Sequence, residues 1–132
     1  MADSRFITVS ADSARSRLAS DIVVAGDLAF VSGVRAVDLH NDRAPLPEMV
    51  EAQTAKIFSN LDAILQAAAL ERAQMVAVKI YVVDFERLFE RMNAAYGKCI
   101  GASPLPARTC VGVAQLTRGA QVEMDFVLRT GD

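Results

Sequence analysis

Tryptophan is absent from this 132-residue chain, histidine occurs once and cysteine twice. The one histidine, His40, lies in the polar stretch DLHNDRAPLP. A single chain therefore cannot assemble a histidine-based metal site or a catalytic triad, and His40 reads as a solvated loop residue. Cys99 and Cys110 lack the CxxC spacing of a redox or zinc motif and read as reduced thiols. Long apolar runs are missing too: stretches such as IYVVDF fall far short of the roughly 20 residues needed to cross a bilayer. The opening MADSRFITVSADS has no basic segment leading into an apolar one, so a cytoplasmic location is the expectation. Nor does one sign of charge dominate. Lys and Arg number 14 against 16 Asp and Glu, a net charge of -2, which argues against nucleic-acid binding by bulk charge. Without repeats, low-complexity tracts or a linker-like stretch, residues 1–132 are expected to form one domain.

Apolar residues, by contrast, make up 52% of the chain, and their spacing changes along it. RFITV, then DIVVAG and LAFVSG joined around Gly26-Asp27, read as a short strand and a hairpin. From Pro47, placed to open a helix, Val50, Thr54, Ile57, Leu61, Ile64, Leu65 and Ala68 recur at three- and four-residue steps. Glu48, Glu51, Lys56, Asn60 and Asp62 fall on the opposite face. MVAVKIYVVD returns to β-branched strand chemistry, and a second helix follows with Phe85, Leu88, Phe89, Met92 and Tyr96 on one face. PLPARTCVGVAQL and, after a turn at LTRGAQ, VEMDFVL read as a closing hairpin. The fold expected is α+β: a mixed sheet with both helices packed on one face. VAVKIYVV is apolar on nearly both sides, yet two such helices cover only one face. The other face needs a partner, and a further copy of the chain is the simplest one, so a homo-oligomer is expected.

Arg108 is the first residue to carry chemistry. Pro106 stiffens the approach to its strand, and a guanidinium in a partly dry site needs an anion, its planar fork suiting a carboxylate. That anion is either a ligand's or a structural partner, Glu123 or Asp125 on an adjacent strand. Cys110, two residues on, shares the strand face of Arg108; without a histidine beside it, its thiol is more naturally packing than nucleophile. Glu123 is a general base if burial raises its pKa, or else a strand residue facing water. Gly33 either admits a ligand to the backbone or serves as a turn glycine, and Asn93 bonds either a ligand or a loop carbonyl.

In their order and spacing, GDLAFVSG, QTAKIFSNLDAIL, VKIYVVDFERLFERMNAAY, PARTCVGVAQL and GAQVEMDFVL resemble the RidA/YjgF family of reactive-intermediate deaminases, from about Gly26 to Leu128. The resemblance implies a chorismate-mutase-like fold assembled as a homotrimer, with ligand clefts between subunits and no metal or organic cofactor. It implies that Arg108 grips the carboxylate of a 2-imino or enamine acid such as 2-aminoacrylate, that Glu123 orients or activates a water, and that Gly33, Asn93 and Cys110 line the pocket. Two departures from the best-studied members stand out: Val34 where glutamine is usual, and no tyrosine in SARSRLASD, where Arg15 and Arg17 occur instead. The activity implied is hydrolysis of the imine to a 2-oxo acid and ammonia, with a small carboxylate as substrate. Two other readings stand beside it, a trimer that binds a 2-oxo acid without turnover and an endoribonuclease. The latter is disfavoured by the lone histidine and the net charge.

Overall fold

A computed structural model describes residues 4–10, 18–101 and 104–131. Within them the chain order is β1 (Arg5–Ile7), β2 (Ile22–Ala25), β3 (Leu28–Val34), α1 (Val50–Ala67), β4 (Met75–Val83), α2 (Phe85–Ile100), β5 (Ala107–Val113) and β6 (Val122–Arg129), with short 3-10 turns at Arg72–Gln74 and Thr117–Gly119. The strands form one mixed six-stranded sheet ordered β1-β2-β3-β6-β4-β5, with both helices packed on one face. This is the α+β architecture that the apolar periods call for. Antiparallel β2 and β3 are joined at Gly26-Asp27, with Gly26 in the left-handed region at φ +63, where a side chain would be strained.

The core lies between helices and sheet. Every member of the α1 stripe from Val50 to Ala68 is buried, as are Val78, Ile80 and Val82 of β4 and Val122, Met124, Phe126 and Leu128 of β6. Phe58 ties three elements together, its ring meeting Tyr96 of α2 and Phe126 of β6 edge-on, each at 5.8 Å. The one buried hydroxyl of the stripe, on Thr54, is satisfied by donating to the Val50 carbonyl at 2.8 Å.

Three details differ from the sequence reading. Helix α1 starts at Val50 rather than at Pro47, and the Pro47 carbonyl instead accepts a bond from Gln53 Nε2 at 2.8 Å. Asn60 is buried rather than solvated, donating to the carbonyls of Arg35 and Val37 at 2.9 and 2.8 Å; it satisfies backbone that leaves β3 beneath the helix. Most consequentially, β5 and β6 form no hairpin. β5 pairs in parallel with β4, and β6 runs antiparallel between β3 and β4. Segments β4, α2 and β5 make a crossover unit, and a strand returned by such a helix lies parallel to the strand before it.

Among the described residues, none covers the side of the sheet away from the helices. Leu28 and Phe30 of β3 and Val111 of β5 stand exposed, Phe30 at 44%. No helix among the described residues is long and apolar enough to cross a membrane.

Candidate functional site

The expected site residues fall into two groups, one on each face of the sheet. Arg108 pairs with the buried Val78 and Cys110 with the buried Ile80, which turns both side chains toward the helices. Arg108 lies on an edge strand and is exposed, its guanidinium carbon 4.7 Å from the centroid of the Tyr96 ring and 6.0 Å from that of Phe89. Two aromatic faces thus hold the cation in place without neutralising it. Among the described residues Arg108 has no carboxylate partner. The alternative in which Glu123 or Asp125 pairs with it is overturned, because β4 separates β5 from β6 and the two carboxylates point from the opposite face. Asn93 is exposed on α2, four residues after Phe89 and three before Tyr96, so it stands beside the rings that carry Arg108. Among the described residues it bonds no loop carbonyl. Burial pushes the Cys110 thiol above its ordinary value, with the nearby Arg108 charge opposing the shift. A half-buried thiol shifted that way is packing rather than a thiolate nucleophile.

The second group occupies the open face. Glu123 stands opposite Tyr81 on β4, with Arg35 Nε 3.6 Å from its carboxylate. Arg35, only 8% exposed, is a cation the sequence reading passed over; its place just after β3 was the available signal. Gly33 sits where β3 loses register with β6 between Val31 and Val34, at φ +70, a conformation that suits glycine. Its N–H donates to Asp125 Oδ1 at 2.7 Å, and the Ser32 hydroxyl donates to the same oxygen at 3.3 Å. Tyr81 closes the cluster, its hydroxyl donating to Asp125 Oδ2 at 2.8 Å. This bond, with some burial, pushes the phenol above its usual range. Beside the cluster a depression of about 300 Å³ is lined in part by Phe30, Ser32, Lys79, Asp125 and Val127.

One protomer therefore brings together Arg108, Asn93 and Cys110, and separately Gly33 and Glu123, but not the two groups with each other. Val34 is buried in the core at 5% exposure, so its apolar character follows from packing. Arg15 and Arg17 lie outside the described residues. Among those described, no group of three or more His, Cys, Asp or Glu side chains is arranged to hold a metal ion.

Fold and site define a small α+β protein with two helices on a mixed six-stranded sheet. Residues 10–129 match the family model described as Endoribonuclease L-PSP, and the chain belongs to that family, the YjgF/RidA family. A RutC family protein of Aquifex aeolicus is 35% identical over 109 residues, covering 82% of this chain and 85% of that one. A 2-iminobutanoate/2-iminopropanoate deaminase of Dermatophagoides farinae is 32% identical over 110 residues, or 83% of each chain. A crystal structure from Thermotoga maritima superposes with a TM-score of 0.83 at 28% identity, over 97% of this chain and 98% of that one.

Proposed function

We propose that the protein hydrolyses 2-imino acids and their enamine tautomers to 2-oxo acids and ammonia, without metal or organic cofactor, as a homotrimer whose clefts lie between subunits. The observation that carries this reading is Arg108: an exposed guanidinium, fixed over Tyr96 and Phe89, with no carboxylate partner among the described residues. The substrate supplies that carboxylate and takes both arms of the fork. Asn93 and the backbone at Cys110 complete that wall. Glu123 and the bare Cα of Gly33, brought by the neighbouring copy, form the other wall.

In this scheme an enamine first tautomerises to its imine. Water held by Glu123 then attacks the C=N carbon, giving its proton to the carboxylate while the C=N electron pair moves to nitrogen. Glu123 hands that proton on to the nitrogen, which completes the carbinolamine. As the C–N bond then breaks, the hydroxyl proton passes to the departing nitrogen, releasing ammonia and leaving a 2-oxo acid. Imines hydrolyse readily, so placing water and substrate is most of what the protein must do. The deaminase name of the Dermatophagoides relative is consistent with this scheme. The uncovered sheet face fits assembly with further copies.

The test generates imino acids in place with an L-amino acid oxidase, traps them with semicarbazide, and follows whether the protein suppresses the trapped product. Suppression that Arg108→Ala removes supports the deaminase. Binding of 2-oxobutanoate without suppression for any side chain would leave a carboxylate-binding trimer instead.

A further inference from the structure

Asp125 has no part in the scheme above, yet its carboxylate joins three strands of the open face. At the bulge of β3 the Gly33 N–H is lost to the ladder with β6, and an unmatched backbone donor must find an acceptor. Asp125 Oδ1 provides it at 2.7 Å and also takes the Ser32 hydroxyl at 3.3 Å. The other oxygen is held by Tyr81 of β4 at 2.8 Å, so rotating the carboxylate breaks a charge-assisted bond on either side. Asp125 lies two residues from Glu123 on β6 and directly opposite Lys79 of β4.

We propose that Asp125 is the positioning residue of this site, fixing the Ser32-Gly33 turn in the shape a ligand meets, with Tyr81 as its brace. The inference rests on the imine-deaminase reading. With its N–H taken by Asp125, Gly33 offers a ligand close approach to bare backbone rather than a donor, and carboxylate recognition is left to Arg108. Asp125 acts through the turn and not on the reacting atoms.

The experiment measures KM and kcat for imine hydrolysis by the wild type, Asp125→Asn, Tyr81→Phe and the double variant, together with oligomeric state and thermal melting. An asparagine side chain has a single acceptor oxygen, so it cannot receive Gly33 N–H and Tyr81 O–H on separate oxygens. The expected result for Asp125→Asn is a KM raised about tenfold with kcat within about threefold of wild type, the pattern of lost uniform binding. Tyr81→Phe should raise KM about threefold, and the double variant should be no worse than Asp125→Asn, because Tyr81 acts through Asp125. An unchanged KM, or a fall in kcat alone that tracks loss of folded oligomer, overturns the assignment. Should Asp125→Asn fail to fold, Tyr81→Phe decides by the same criterion, since it keeps charge and shape. A wild type that neither hydrolyses imines nor binds 2-oxobutanoate calorimetrically overturns the functional reading and this one with it. An active wild type with indifferent variants overturns the role of Asp125 alone.

Discussion

Replacing Arg108 separates recognition from folding, because almost nothing inside the protomer depends on it. Among the described residues its guanidinium rests on two rings, with its carbon 4.7 and 6.0 Å from their centroids, and it is exposed on an edge strand. An exposed cation–π contact contributes about 0.5–1 kcal/mol. Arg108→Ala should therefore lower stability by about 1 kcal/mol, a shift of roughly 4 °C in Tm for a chain of this size. Toward a carboxylate the guanidinium makes two charge-assisted hydrogen bonds, each contributing about 1.5–3 kcal/mol. Losing both lowers kcat/KM by about 10²–10⁴-fold, since each 1.36 kcal/mol is a factor of about ten. Lysine keeps the charge without the fork, so Arg108→Lys should fall between alanine and wild type. The readouts are the semicarbazide-trapping assay and a melting curve. An alanine variant that keeps kcat/KM within about threefold refutes the carboxylate assignment, and one that melts far lower or loses its oligomer makes Arg108 structural.

Glu123→Gln should lower kcat by about 100-fold while changing KM little, because a glutamine can orient a water but not take its proton; steady-state kinetics read the split. Cys110→Ala should retain turnover within about threefold, and iodoacetamide should label native Cys110 more slowly than a free thiol at pH 7, as expected for a thiol whose pKa burial has raised. Burial raises the thiols of Cys99 and Cys110 and the Tyr96 phenol above their ordinary values, and the bond to Asp125 raises the Tyr81 phenol, so the folded state holds protons that the unfolded state releases. Stability should therefore fall as pH climbs through 9.0 and beyond, seen as a declining urea midpoint. Asn60→Ala strips the donors from two buried carbonyls and should cost about 2–4 kcal/mol in urea unfolding with activity intact below the transition.

Periodicity located what faces the core and left open what pairs with what. The α1 stripe and the alternation of Val122, Met124, Phe126 and Leu128 were readable because a helix or strand with one dry face repeats its apolar residues at its own period. The partner of β5 was not readable from alternation alone, which is the same for either neighbour. The turn residues after it suggested a hairpin, whereas the crossover through α2 decides the pairing. Asn60 was misplaced for a related reason: a polar side chain at the border of the stripe is sent to water unless the backbone it serves, at Arg35 and Val37, is known. Within the site, Arg108 was conspicuous as a cation at the mouth of an apolar strand. Asp125 and Tyr81 form their bond diagonally across two strands whose adjacency the sequence did not disclose.

That same strand order bears on how the proposed chemistry can happen at all. Arg108 projects from β5 toward the helices and Glu123 from β6 toward the open face, with β4 between them. In a 2-imino acid the carbon that water attacks is bonded directly to the carboxylate carbon. A molecule so short cannot touch Arg108 and a water on Glu123 through the thickness of a sheet. If both residues act on one substrate, they come from different copies, and the exposed Phe30 and Val111 belong to a surface on which those copies meet. In a closed ring each cleft then joins Arg108 of one subunit to Glu123 of the next. Arg108→Ala and Glu123→Gln proteins, each at about one per cent of wild-type activity or less alone, should regain activity when refolded together. With equal amounts mixed at random, one cleft in four combines an intact Arg108 with an intact Glu123, so recovery should reach about a quarter of wild-type turnover. Phe30→Asp should dissociate the ring in sedimentation and abolish turnover although both residues stay intact. Mixed oligomers that recover nothing, or an active Phe30→Asp monomer, would show that each chain works by itself and that Glu123 is not the residue that handles the water.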